Sequence, residues 1–446
     1  MKNGIIILLL CYTSCRAAIP SVFAQQPGSY TTAVPYTLSD VWDKLLLNSK
    51  KIHIAELRVE KSKAQLKDIK NERLPDIDLG GEYQRLSSLP EYVNGIFHAP
   101  EYYPVAHDSY NLGPSSYLNI YNGNKQNLRI LEQKTRSSIS EEEKSQTRAD
   151  LKVLAAAYYL DLERSMIFKK LIEEDILQQE NQLINIKALQ KNGVVLKSDV
   201  LRAELKLARE KFSLVQVQND ISILNQKLSV LIGSDERSAI DPVQSFTPDA
   251  ISVMGYNYYV DEAMRSSFKV QVAEKENDLK SIDVKISKSA YLPCVGLFSH
   301  YAFSYPQGIL YPYSKSLYGL GSAGIKLDWS VSAFLKNRDK VKAAQLDFKS
   351  QVIFSEDLRD SVRTQVSEAY LRFKEALTGI EVARKNVVQA SENFRVLTNS
   401  YFNQAALITD LLDAETQKLQ ASFDLESSKM IAQLKYFQLQ EIIGKL

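Results

Sequence analysis

Cysteine is nearly absent from this chain: Cys11, Cys15 and Cys294 are the three in 446 residues. Cys11 and Cys15 fall in an N-terminal stretch expected to be removed, so one thiol remains and no internal disulfide can form. Histidine is almost as scarce. His53, His98, His107 and His300 are scattered, with no second imidazole at metal-ligand spacing, so bland positions are expected and no metal site. No phosphate-cradling glycine loop, nucleophile elbow or Cys-x-x-Cys pair occurs, so neither an enzyme nor a bound cofactor is expected. Glu141-Glu142-Glu143 reads as a solvated helix face rather than an acid–base pair. Charge of one sign is also missing: 55 Lys and Arg stand against 53 Asp and Glu, a formal net charge of +2, with no basic tail or block. Nucleic acid is therefore not an expected partner. Glycine (17) and proline (13) are few, and there is no low-complexity linker. The prolines cluster near 27–35, 75–114, 242–248 and 293–312, and the intervals between them read as helical.

What is present begins with a leader. Lys2, an apolar run over 5–10 and the ending Val22-Phe23-Ala24 predict a secretory signal peptide over 1–24, cleaved before Gln25. Its apolar run is too short to span a bilayer. The alternative, lipid attachment at Cys15, is disfavoured because Tyr12 is a poor third residue before a lipidated cysteine. Residues 25–446 form the mature chain.

The stretch from 122 to 233 contains no proline and one break, at Asn192-Gly193. Residues 125–190 read as a single helix, which at about 1.5 Å per residue is a rod of roughly 100 Å. Leu151, Leu154, Tyr158 and Leu162 fall on one face, while Val153, Ala157, Leu160, Ile167 and Leu171 fall on another. A dimeric coiled coil needs one apolar seam; two seams suit a stave in a wall, with a neighbour on each side. Tyr159 and Phe168 blur that pattern.

The chain is an internal repeat of about 210 to 220 residues. Leu74-Pro75 returns as Leu292-Pro293, Ala157-Tyr158 as Ala369-Tyr370, Ser198-Asp199-Val200-Leu201 as Thr409-Asp410-Leu411-Leu412, and Leu231-Ile232-Gly233 as Ile442-Ile443-Gly444. Repeat one covers about 38–233 and repeat two about 259–444, each reading as helix, strand, loop, strand, long helix, turn, helix. The helices are expected over 38–73, 125–190, 198–232, 262–290, 336–403 and 409–443. The short ones could stack end to end in pairs beside the long ones, so that each chain supplies four staves. Strands are expected at 76–86, 112–121, 294–304 and 317–331. Ile77, Leu79, Gly81 and Tyr83 alternate with Asp78, Gly80, Glu82 and Gln84, and Leu118 and Ile120 with Tyr117, Asn119 and Tyr121. Val295, Leu297, Tyr301 and Phe303 alternate with Gly296, Phe298, His300 and Ala302; Ala323, Ile325, Leu327, Trp329 and Val331 alternate with Gly324, Lys326, Asp328 and Ser330. Such strands suit a soluble sandwich or a transmembrane barrel. Aromatics at Tyr92, Phe97, Tyr102, Tyr103, Tyr305, Tyr311, Tyr313 and Tyr318, near the hairpin loops, favour the barrel. Four strands cannot close one, so a spanning chain must oligomerise.

The doubled Leu-Pro, the Asn122-Gly123 that leads into the long helix, and the two helix turns together resemble the TolC-like outer membrane efflux proteins, across essentially the whole mature chain. The resemblance implies an α+β membrane protein: a homotrimer with a 12-stranded β-barrel in outer membrane lipid and a 12-helix α-barrel in the periplasm. With helices about 10 Å across, a ring of twelve leaves a lumen of roughly 25 to 30 Å. The implied function is the outer membrane channel of a tripartite efflux system for small molecules, driven by an inner membrane pump through a periplasmic adaptor protein. Adaptor contacts are expected at the turns, through Gly193, Val194, Val195, Leu196, Ala405, Ala406 and Leu407. The family's aperture aspartates match Asp410 and Asp413, and its gate tyrosine matches Tyr401. The arginine expected four residues before Asp410 is Ala406 here, which puts the family's closing salt bridge in doubt. Two readings stay open beside this one: a duct for type I protein secretion, which a copurified pump would separate, and a secreted structural coiled-coil protein without a pore, which detergent-independent solubility would reveal.

Overall fold

The computed structural model describes residues 31–235, 238–243, 253–308, 312 and 314–446. The leader expected at 1–24, and Tyr311 and Tyr313, lie outside the described residues. In chain order the elements are β1 (Thr31–Tyr36), α1 (Leu38–Asn48), α2 (Lys50–Asn71), β2 (Asp76–Arg85), β3 (Leu89–Glu91), β4 (Glu101–Tyr103), β5 (Asp108–Asn122), α3 (Lys125–Lys191), α4 (Lys197–Ile232), β6 (Ser238–Pro242), α5 (Tyr256–Ser266), α6 (Phe268–Ser289), β7 (Cys294–Tyr305), β8 (Tyr318–Asp328), α7 (Ala333–Lys336), α8 (Arg338–Phe402) and α9 (Ile408–Ile442).

The long helices α3 and α8 are the continuous staves. Along its first half α3 is flanked by α2, tied by Gln133 donating to the Ser62 carbonyl at 3.2 Å, and along its second by α4, tied by Lys211–Glu180 at 2.6 Å. On its other side lie α6, with Lys275–Glu142 at 2.7 Å, and then α9, where Phe168 meets Phe423 with ring centroids 4.2 Å apart. α6 and α9 in turn pack on α8. The order across the wall is α2/α4, α3, α6/α9, α8, with short helices stacked end to end in pairs. Glu141 and Glu142, read as a solvated face, instead bridge to Lys63 (2.8 Å) and Lys275, so the acidic run laces α3 to both neighbours.

Two expected helices are each broken by a serine. The helix expected over 38–73 stops at Asn48 and restarts at Lys50, and the one expected over 262–290 begins earlier, at Tyr256, and breaks at Ser267. Ser49 and Ser267 are extended (ψ 120 and 124) and buried. The reason lies in the glycine anchors of the repeat. α4 ends in Gly233 (φ 67), where a Cβ would stand 2.8 Å from the Asn48 Cβ, and α9 is followed by Gly444 (φ 76), where a Cβ would stand 2.0 Å from the Ser266 carbonyl oxygen. Each left-handed glycine lets one helix end abut the break in the other.

At this level the core is thickest. Val41, Leu45, Ile52, Ala155, Ala156, Leu160, Leu228, Ile232 and Ile240 form one buried cluster, and Tyr259, Val270, Val362, Val366, Phe373, Leu439 and Ile443 another. Tyr159, which blurred the two-seam pattern, is buried here, and its hydroxyl reaches the carbonyls of Tyr36 (2.9 Å) and Val243 (2.8 Å). α3 has more than two neighbours at this level, because α1 and the parallel pair β1–β6 also pack on it.

The sheet has the order β2-β5-β7-β8, with antiparallel pairing throughout. Its registers sort the side chains by face. Leu118, Leu297 and Ile325 share one row; Ile77, Ser116, Ser299 and Ala323 the next; Gly81, Leu112, Phe303 and Gly319 another. On the opposite face Asp78, Ser115, His300 and Ser322 align, as do Glu82, Asn111, Ser304 and Tyr318. Three details differ from expectation. A bulge between Asn119 and Tyr121 moves Tyr121 opposite Val295, onto the apolar face. The strand expected at 317–331 ends at Asp328, since Trp329 turns away to donate to the Tyr291 carbonyl at 3.1 Å. The strand expected at 112–121 is longer, Asp108–Asn122. Both outer strands, β2 and β8, have one unpaired edge among the described residues. No described helix is long and apolar enough to cross a membrane, which bears on helices alone.

Candidate functional site at the helix tips

The ends of α3 and α8 farthest from the sheet carry the sequence-predicted residues. α3 closes on Gly193 (φ 72), with Val194 N–H donating to the Leu189 carbonyl at 2.9 Å. α8 closes in the same way on Gln404 (φ 60), with Ala405 N–H donating to Ser400 at 2.7 Å. Both are Schellman-type ends, one made by glycine and one by a residue with a Cβ. Leu196 and Leu407 then lead, extended, into α4 and α9.

A tip core lies between the two turns, made of Ile186, Val200, Ala203, Phe394, Tyr401, Ile408, Leu411 and Ala414. It divides the expected adaptor residues. Val195 and Ala406, expected to meet the adaptor, instead pack against it, half-buried. Gly193, Val194, Leu196, Ala405 and Leu407 remain exposed. Tyr401 belongs to the core, 5% exposed, its ring edge-on to Phe402 and its hydroxyl without a hydrogen-bond partner. Burial, then the charge of Asp199, hold its phenol above the ordinary range. Asp410 and Asp413 are exposed, one helical turn apart on one face. Asp410 accepts from the Leu407 N–H at 3.3 Å and so caps α9, and Asp413 accepts from Gln417 Nε2 at 2.8 Å. Tyr401 thus lies in the tip core and the aspartate pair on the surface.

One feature just above the tip has no counterpart in the sequence reading. Lys206 of α4 reaches across to α9, donating to the Leu412 carbonyl (3.0 Å) and Thr416 Oγ1 (2.7 Å), with its Nζ 3.4 Å from Glu415 Oε2. Glu415 is 1% exposed, and neither of its oxygens accepts an aligned hydrogen bond. Burial pushes its carboxyl up to about 7, with Lys206 partly offsetting. Asp175 of α3, 9% exposed and bonded to Gln179 Nε2 at 2.5 Å, and Glu210 of α4 are also raised, by burial first. Higher on the same seam, burial and then Glu426 raise buried Glu163 to about 7. A lone acidic residue inside an amphipathic repeat gives little sign that it will be buried, because the seam that buries it is formed by a helix some 200 residues away. No group of three or more His, Cys, Asp or Glu side chains placed to hold a metal occurs among the described residues.

Residues 41–234 match the family model described as outer membrane efflux protein. The chain is 22% identical over 278 residues to the putative multidrug resistance outer membrane protein MdtQ of Escherichia coli (strain K12), an alignment covering 59% of this chain and 55% of that protein. The chain thus spans about half the length of the curated relatives it matches. Among solved structures, the outer-membrane channel OprN superposes with a TM-score of 0.75 at 17% identity, covering 92% of this chain and 90% of that one. The outer membrane protein VceC from Vibrio cholerae superposes with a TM-score of 0.75 at 15% identity, covering 91% and 96%. The fold of the outer membrane efflux proteins therefore extends over both repeats of this chain, including the second, which lies outside the family match.

Proposed function

We propose that three copies of this chain form an outer membrane channel, with a 12-stranded barrel continued by a 12-helix periplasmic tunnel, serving tripartite efflux of small molecules. The observation that carries the reading is the sheet: one face apolar, the other polar and charged, both edges unpaired, continuing into a wall of staves. In hydrocarbon unpaired edges are intolerable, and closure by neighbouring copies removes them. Strands of ten to fifteen residues rise about 3.3 Å per residue, which at a tilt of about 40° covers an apolar band roughly 25 Å tall. The reading of a secreted coiled-coil protein would leave Ile77, Leu79, Ile325 and Leu327, all exposed in the single chain, against water. In this reading an inner membrane pump supplies the energy through a periplasmic adaptor, which meets the exposed tip residues Gly193, Val194, Leu196, Ala405 and Leu407. Val195 and Ala406 act behind them by packing the turn.

The mouth is narrowed by Asp410 and Asp413, six carboxylates under threefold symmetry, which concentrate cations and bind divalent ions. Tyr401 supports this ring from within the tip core. The protein should sediment with outer membranes and run as a trimer in detergent, and a monodisperse monomer soluble without detergent would end the reading. In planar bilayers the double variant Asp410→Ala, Asp413→Ala should lose cation preference and block by divalent ions; unchanged block would remove the aspartates from the gate. A charged residue at Val194 or Ala405 should abolish resistance while leaving trimers in the membrane.

A further inference from the structure

The seam between the two helical hairpins holds more carboxyl groups than cations. Around Glu415 of α9 stand Asp175 of α3, Lys206 of α4 and Lys418 of α9 itself, whose ammonium lies 4.8 Å from the centroid of the Phe394 ring of α8, and Glu210 of α4 joins the cluster through Asp175 and Lys206. Three carboxyls against two ammonium groups leave one negative charge unbalanced in a buried site. Glu415 is the most buried of them, and its oxygens make no aligned hydrogen bond. A buried carboxylate with one long ion pair and no aligned hydrogen bond is disfavoured relative to the neutral acid. The same cluster is what joins the hairpins at this height, because Lys206 of the α3–α4 hairpin is held by Leu412, Thr416 and Glu415 of the α8–α9 hairpin. Asp410 and Asp413 lie within the two turns of α9 before Glu415.

We propose that the Asp175–Lys206–Glu415 cluster is a proton-linked latch between the hairpins, closed while it holds one proton and loosened when that proton leaves. Linkage sets the direction. Any separation that wets Glu415 returns it to an ordinary carboxylate, so separation releases a proton and is opposed by acid. The carboxyl titrates near 7 when packed and near its ordinary value of 4.5 when wet, so raising the pH from 6 to 8 favours the separated state about tenfold. Glu415→Gln keeps the shape of the neutral acid and cannot ionise, so it should hold the latch closed at every pH. Lys206→Met removes the charge that stabilises the carboxylate, so the loss should continue to higher pH and exceed that of the wild type between pH 6 and 8.

The test is amide hydrogen exchange of segments 197–212 and 408–420 in the full-length protein in lipid nanodiscs, corrected for the intrinsic pH dependence of exchange. Protection in the wild type should fall about tenfold between pH 6 and 8, stay level in Glu415→Gln, and fall further in Lys206→Met. Asp175→Asn, which removes the same excess charge from α3, should also raise protection at pH 8 and serves if the Gln variant does not assemble. Level protection in the wild type, or an undiminished fall in both neutral variants, would overturn the latch. Bilayer conductance over the same range supplies a second arm, which alone rests on the channel reading: wild-type opening should rise with pH and that of Glu415→Gln should not. No conductance from any variant, with the exchange pattern intact, would sink the channel and leave the latch standing.

Discussion

The sheet and the helical wall of this chain bury their side chains in opposite ways. Along β2 every residue is exposed in the single chain, whereas the wall has three buried clusters of its own and encloses even Glu163, Asp175 and Glu415. Among the described residues the apolar face of the sheet has nothing to pack on, so in the proposed trimer its stability comes from its surroundings and from neighbouring copies. The wall completes much of its core between its own hairpins, and there it can trap polar groups. The sheet therefore reads as a surface fitted to a medium, and the wall as a structure with internal, adjustable seams.

A charge on the apolar face of the sheet should break this contrast most severely. Leu297→Arg should cost about 2–4 kcal/mol in each copy if the residue faces lipid near the midplane, with loss of trimers from the outer membrane fraction on gels. Ser322→Arg, on the polar face, should assemble normally; equal loss from both would mean that the faces are not distinguished by their surroundings. In the wall the matching experiment is a cavity. Leu411→Ala in the tip core should lower unfolding stability by about 2–5 kcal/mol, read by denaturant titration, while Leu407→Ala, on the exposed turn beside it, should change little.

The buried carboxylates give the next effect. Glu163 is raised from 4.5 to about 7 in the folded wall, so the folded state binds more protons than the unfolded chain between those values. Its effect on stability is therefore most favourable below about pH 4.5, declines as the pH rises towards 7, and is level above. At about 1.4 kcal/mol per unit the ceiling is roughly 3 kcal/mol. Glu163→Gln should flatten part of the pH dependence of thermal unfolding between pH 5 and 8, and an unchanged slope would mean that Glu163 is hydrated. The smallest effect tests one turn against the other. Gln404 adopts the left-handed conformation that Gly193 adopts in the first repeat, so Gln404→Gly should gain about 0.5–1 kcal/mol and Gly193→Gln should lose a similar amount.

Much of this architecture was legible because it is written in local periodicity. The alternation over 76–85 and 295–303 survives in the register rows, and the absence of proline between 122 and 233 foretold α3 almost to its ends. Ser49 and Ser267 were missed because a single serine inside an amphipathic pattern is compatible with a helix; the break follows from Gly233 and Gly444 arriving from distant helices. β1 and β6 were missed because they are short and pair in parallel across about 200 residues. Tyr121 was assigned to the wrong face because a bulge shifts register by one residue without changing the alternation before it.

At the tips, the turns were legible as breaks in the helical pattern, and the Asp410–Asp413 pair was marked out by the family resemblance; that the two share a face follows from helix geometry. That Val195, Ala406 and Tyr401 fill a tip core, and that Lys206 meets Glu415 at all, depends on how two hairpins lie against each other. By itself, then, the sequence determined the staves, the two-faced strands and their doubling, since these depend on neighbours within a few residues. Only the tertiary structure decided which carboxylates are dry and which cation links the hairpins, because burial and charge balance are properties of side chains that are far apart in the chain and close in space.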